Sequence, residues 1–207
     1  MIYDDIKNHY YSIVSAPNAP SKILSNFHDA SKDDCGTSVV ANYLPCLKFD
    51  VISQFLYQYL YHASDALFFS DKLKRLLFVE FKNRHYDKND NNSNSTINKI
   101  VKQAGDTLFL HCDICRSITN YDKIESDFIA VIDSLKNNDL PRMSVQEIML
   151  FLSGRTIGGT AADQTNAYLE SLVVNYLSNK YPNLSYNFHF IGIVLSVQFN
   201  NVISRYT

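Results

Sequence analysis

The stretch from Ser64 to Arg84, SDALFFSDKLKRLLFVEFKNR, decides how the chain is read. It holds two short apolar runs, Ala66 to Phe69 and Leu76 to Phe81, separated by the polar SDKLKR, which is the pattern of a β-hairpin. Asp65 heads the first run, while Glu80 and Lys82 stand at the end of the second. Successive side chains of a strand alternate between faces, so Glu80 and Lys82 share one face and Val79 and Phe81 take the other. A turn symmetric about Lys72 and Leu73 makes the residue numbers of every cross-strand pair sum to 145, which sets Asp65 opposite Glu80. Carboxylates so paired have Cβ atoms about 4.5–5.5 Å apart, and like charges there are destabilising. A hard divalent cation would offset them, because Mg²⁺ prefers oxygen ligands and is commonly held by one or two carboxylates, with water and phosphate completing its shell. Lys82, on the same face, would position a water or offset charge building on a phosphoryl group. The alternative is a structural ion pair of Glu80 with Lys82 or Arg84. The turn carries no Asn-Gly signal to pin the register, and a slip by one residue would turn every side chain over.

The flanks extend this into an α/β pattern. The polar NRHYDKNDNNSNS, residues 83–95, reads as a mobile loop. Ser95 and Thr96 then suit the cap of a helix over about 97–111, with Ile97, Ile100, Val101, Ala104 and Leu108 on one stripe and Lys99, Lys102, Gln103 and Asp106 on another. DFIAVID, residues 127–133, follows as a buried strand, so strand, helix and strand over 76–132 form a βαβ unit with parallel strands. Residues 1–50 show short helical patterns broken by Pro17, Pro20 and Pro45, and DVISQFLYQYLYH (50–62) fits helix or strand equally. LPRMSVQEIMLFL and TAADQTNAYLESLVVNYLSNKY read as helices, and YNFHFIGIVLSVQF closes the chain as β structure. The expectation is one domain over 1–207, with a core at about 50–135 and a helical and β extension over about 136–207.

Composition narrows the function classes. The formal charge is −2 and no apolar run approaches the length of a membrane span, so neither a membrane nor a globally basic nucleic-acid surface is indicated, and a cytoplasmic location is expected. Charge is nevertheless local: 72–102 holds eight Lys and Arg against three acids, whereas 121–170 holds four against eight. Positive charge beside an acidic centre suits a protein that holds phosphates. Cys112 and Cys115 have zinc half-site spacing, but Cys35 and Cys46 make a poor second pair, and buried or part-buried thiols are expected. SGRTIGGT lacks the spacing and lysine of a P-loop, and the histidines His28, His62, His85, His111 and His189 are scattered. The fourteen tyrosines read mostly as packing and interface material, with base stacking open to some near the basic side.

The combination of Asp65, a fourteen-residue gap, and Glu80-Phe81-Lys82 at the end of an apolar strand resembles the motif of the PD-(D/E)XK nuclease superfamily, and LLFVEFKNR is similar to its small bacterial members of unassigned role. The resemblance covers about a third of the chain, 65–132. It implies a restriction-endonuclease-like core of β-hairpin, helix and parallel strand, with further C-terminal helices and a terminal β segment. It also implies Mg²⁺ or Mn²⁺ held by Asp65 and Glu80, with Lys82 as the third catalytic residue, and phosphodiester hydrolysis in nucleic acid, DNA being the expected substrate, by an endo- or exonuclease in a restriction, repair or phage-defence setting. Arg84, Lys99, Lys102 and Gln103 are the expected nucleic-acid contacts, and a homodimer is compatible with this role. Two departures stand out. Ser64 replaces the proline of the motif, and the acid that many members carry on the first helix has only Asp29, Asp33 and Asp34 as candidates. A catalytically inactive interaction or DNA-binding module on the same fold is the alternative.

Overall fold

The computed structural model describes residues 2–58, 61–82, 93–132, 161–184 and 188–207, with the side chains of 93–97 and 161–168 left out of the description. It is a mixed α/β structure built on one sheet of six strands that lie in chain order. These are β1 (Leu24–Asn26), β2 (Pro45–Lys48), β3 (Ala66–Ser70), β4 (Arg75–Lys82), β5 (Ser126–Ile132) and β6 (Phe190–Leu195). The first four are antiparallel neighbours, while β5 runs parallel to β4 and β6 parallel to β5. Among the described residues six α-helices accompany them: α1 (Ile2–Val14), α2 (Phe27–Ala30), α3 (Phe49–Tyr57), α4 (Ser93–Ile114), α5 (Ala161–Lys180) and α6 (Phe199–Ile203).

The period of two in each strand divides the core into two layers. Leu67, Phe69, Leu76, Phe78, Phe128, Ala130, Ile191 and Ile193 face a large cluster completed by α1, α3, α4 and α5. Ala66, Leu77, Val79, Phe81, Ile129, Val131 and Val194 face a smaller one, closed by Phe27, Phe199 and Ile203. With helices on one face and a second apolar layer on the other, β5 is buried along its whole length, as a central parallel strand must be.

The hairpin forms in the expected register, with Ala66 opposite Val79 and Ser70 opposite Arg75. Its turn is closed by Lys74 in the left-handed region (φ 54°). Several other expectations are corrected. The helix after the motif begins at Ser93, four residues earlier than expected, so Ser95 and Thr96 lie within it rather than capping it. Asp106 is not part of a solvated stripe: it is 1% exposed and accepts hydrogen bonds from Tyr176 (2.8 Å), Lys180 (2.7 Å) and Tyr181 (2.9 Å), which join α5 to α4. The ambiguous 50–62 segment contributes α3, which stops where Gln58 turns left-handed (φ 52°). The terminal β segment ends at Leu195, because Phe199 and Ile203 bury one helical turn apart against Phe27's cluster instead of alternating. The tract from Asn83 to Asn92, LPRMSVQEIMLFL and SGRTIGGT lie outside the described residues. Among the described residues no helix is long and apolar enough to cross a membrane.

Candidate active site

The site stands at the end of the hairpin furthest from its turn. Asp65 immediately precedes β3 and is the next residue in register opposite Glu80. Its backbone carbonyl accepts the Phe49 N–H (3.1 Å) and its Oδ2 accepts the Phe81 N–H (2.6 Å), which ties the carboxylate to β4 and the head of α3 together. Glu80, 2% exposed, continues the face of Leu76 and Phe78. A charge reaches this interior position because β4 is central while its last turns are met by α4, whose half-buried Gln103 can answer it.

The polar contacts form a closed ring. Lys82 Nζ donates to Glu80 Oε1 (2.5 Å) and to Gln103 Oε1 (2.5 Å), and Gln103 Nε2 donates to Glu80 Oε1 (2.7 Å). Both contacts to Glu80 fall on Oε1 and leave the other oxygen untouched: Glu80 Oε2 is buried and has no hydrogen-bond partner among the described residues. A carboxylate oxygen so placed loses its water without replacement, which is costly unless a proton or a cation joins it.

The electrostatics agree. Burial, then the charge of Glu80, holds the Asp65 carboxyl well above the usual carboxylate range, against the pull of the Phe81 N–H. Burial likewise raises Glu80 against the pull of Lys82 and of the Lys82 and Gln103 hydrogen bonds. A third acid contributes to both shifts. Asp50, in the first turn of α3, keeps solvent contact as a residue, yet the protein crowded about its carboxyl raises its own pKa too. The sequence reading missed Asp50, since DVISQFLYQYLYH fits helix and strand alike; an acid at the head of an amphipathic segment that leads into the hairpin was the available signal.

Two cavities flank the ring. One of about 270 Å³ is lined by Lys32, Asp33, Asp34, Asp65 and Lys82, among others. The other, of about 230 Å³, is lined by Asp50, Ser53, Tyr61, His62 and Gln103, among others. Asp33 and Asp34 thus reach the centre's rim. Asp29 instead accepts from Lys32 (2.5 Å) and Asn26 (2.8 Å), the Lys32 contact being foremost in holding its carboxyl below the usual range. Of the expected nucleic-acid contacts, Gln103 is part of the ring, Lys99 is exposed and Lys102 half-buried on α4, and Arg84 lies outside the described residues. Among the described residues no group of three or more His, Cys, Asp and Glu side chains is gathered as a metal site. Cys35 is exposed, against the expectation, whereas Cys46, Cys112 and Cys115 are buried, and burial pushes each of their thiols up to about 12. Neutral thiols of this kind are packing groups.

No family model matches the chain, and no curated protein or solved structure matches it either.

Proposed function

We propose that the protein is a divalent-metal-dependent nuclease with a restriction-endonuclease-like core, and that Asp65, Glu80, Lys82 and Gln103 form its centre. The observation that carries this reading is the buried, unpartnered Glu80 Oε2 beside Asp65, two carboxyls that burial leaves poorly satisfied. The donor set fits Mg²⁺ or Mn²⁺: it is all oxygen, two carboxylates are a common complement for Mg²⁺, and the remaining positions are filled by water and phosphate. Asp50 adds its charge to both carboxyls from the first turn of α3 without being gathered with them as a third ligand. When bound, such an ion supplies Lewis acidity toward a phosphoryl oxygen and a more acidic water.

The chain's own residues do the rest. Asp65 is fixed by the Phe81 N–H, which leaves Oδ1 to a ligand. Gln103 holds both members of the Glu80–Lys82 pair, so the ammonium is presented in one orientation at the edge of the Asp33–Asp65 cavity. From there Lys82 donates to an attacking water or to the developing charge on a phosphate oxygen, a contact that is stronger in the transition state than before it. Nucleic acid, DNA in the first instance, is the substrate class, and Lys99 and Lys102 would meet its backbone further along α4.

A second reading, an inactive interaction or DNA-binding module, is favoured by one observation: Lys82 already pairs with Glu80 at 2.5 Å. Cleavage separates the two. Labelled single- and double-stranded oligonucleotides incubated with Mg²⁺ or Mn²⁺ should be cut by the wild type and left whole by Glu80→Gln. Intact substrate with the wild type under both ions would favour the module.

A further inference from the structure

Tyr43 is the most exposed of the large apolar side chains described, at 68%. Its backbone is nonetheless pinned on both sides. Asn42 O accepts the His28 N–H (2.6 Å), Leu44 O accepts the Phe27 N–H (3.2 Å), and the Leu44 N–H donates to Asn42 Oδ1 (3.0 Å). One face of the ring stacks on His28, with centroids 4.8 Å apart and planes 27° from parallel. The imidazole is fixed in turn. Val40 O only accepts, so His28 Nδ1 carries the proton and donates to it (3.2 Å), while Nε2 accepts from the Ser38 hydroxyl (3.3 Å). Val39, between those two partners, lines the cavity that holds Asp65 and Lys82.

An exposed aromatic ring on a fixed backbone, backed by a second ring, is a pre-organised stacking surface: little side-chain freedom is lost when a flat ligand settles on it. The charge beside it argues for the same anchor. Asp33, Asp34 and Asp65 outnumber Lys32 and Lys82 around the cavity, so the cavity itself does not draw phosphate in the absence of a cation. Binding there needs a contact that is not electrostatic, and base–aromatic stacking supplies one that tolerates any sequence.

We infer that the Tyr43–His28 stack is a platform for one unpaired nucleobase of the strand whose backbone enters the Asp65–Lys82 cavity. The inference rests on the nuclease reading and sharpens its substrate class, because a base stacked on a protein ring cannot be stacked within a continuous duplex. It selects single strands, flaps or frayed ends.

The test compares wild type, Tyr43→Ala and Tyr43→Phe by fluorescence anisotropy, titrating a labelled single-stranded oligonucleotide, an abasic strand of equal length and a blunt duplex. Titrations are run in EDTA, and in Mg²⁺ at times before cleavage. Tyr43→Ala should weaken single-strand binding about tenfold, leave abasic-strand and duplex binding unchanged, and melt with the wild type; Tyr43→Phe should bind like the wild type. If the wild type binds single strands and Tyr43→Ala binds them equally well, or if Tyr43→Ala weakens duplex binding to the same extent, the platform is overturned and the nuclease reading stands. Failure of the wild type to bind any of the three in either buffer removes both.

Discussion

Replacing Lys82 with methionine keeps most of the side-chain volume and removes only the cation. In the structure that cation is 14% exposed, and its partner Glu80 is 3% exposed at the side chain. Solvent cannot take over for it. Breaking a pair buried to this degree costs about 3 kcal/mol. For a chain of 207 residues that corresponds to a fall in Tm of about 6–12 °C. Gln103 softens the loss only in part, because its amide donates to Glu80 Oε1 and leaves Oε2 without a partner. The same change should turn the protein into a better cation binder, since Lys82 no longer competes for the carboxylates. Mg²⁺ at a hundredfold excess over its Kd adds about 2.7 kcal/mol, enough to return most of what the mutation removes. The assay is thermal unfolding of wild type and Lys82→Met, in EDTA and in Mg²⁺, across a pH series. The deficit in EDTA should be full at neutral pH and shrink as pH falls through the raised titration range of Glu80, where the protonated acid no longer needs a counterion. A variant that melts with the wild type in EDTA at neutral pH would refute the energetic argument. A variant that is destabilised as expected but gains nothing from Mg²⁺ would refute the cation site.

Asp65→Asn should be more stable than the wild type at neutral pH, in denaturant titrations without metal. The folded-state pKa of Asp65 lies above its unfolded value, so the native state binds more protons and wild-type stability falls as pH rises between the two. The difference should vanish below about pH 3, well under the unfolded value of about 3.9, where the acid is neutral in both states, and an asparagine variant less stable at neutral pH would contradict the assignment. Gly105→Ala tests the α4–α5 contact. An added Cβ would stand 2.4 Å from the Tyr176 ring, which is held by its hydrogen bond to Asp106 (2.8 Å). Overpacking of about 1–3 kcal/mol then outweighs a helix-propensity gain of about 1 kcal/mol, and a Tm above wild type would show that Tyr176 gives way freely.

The hairpin was legible from the two apolar runs flanking a polar connection, but its register was not: no turn residue pins it, and the pairing observed, with Ala66 opposite Val79, is the one that a turn symmetric about Lys72 and Leu73 requires. The parallel β4–β5 pairing followed from the intervening helix. Asp50 was not legible, since an aromatic-rich segment of high apolar density suits both periodicities. The role of Asp106 was hidden for a different reason. Its partners Tyr176, Lys180 and Tyr181 are at least seventy positions away in the chain, and a lone acid on a wheel reads as solvated until they are placed. Gln103 lay between these cases: it shared the polar stripe with Lys99 and Lys102, and only the placement of α4 across the end of β4 singles it out as the residue that reaches Glu80.

Isothermal titration of metal-free protein with Mg²⁺ addresses the centre itself. The account predicts saturable binding by the wild type, loss of that binding in Glu80→Gln and in Asp65→Asn, and equal or tighter binding in Lys82→Met. Wild-type protein that binds no divalent cation, or Glu80→Gln that binds it as well as the wild type does, would contradict the claim that Glu80 Oε2 and Asp65 are a cation site.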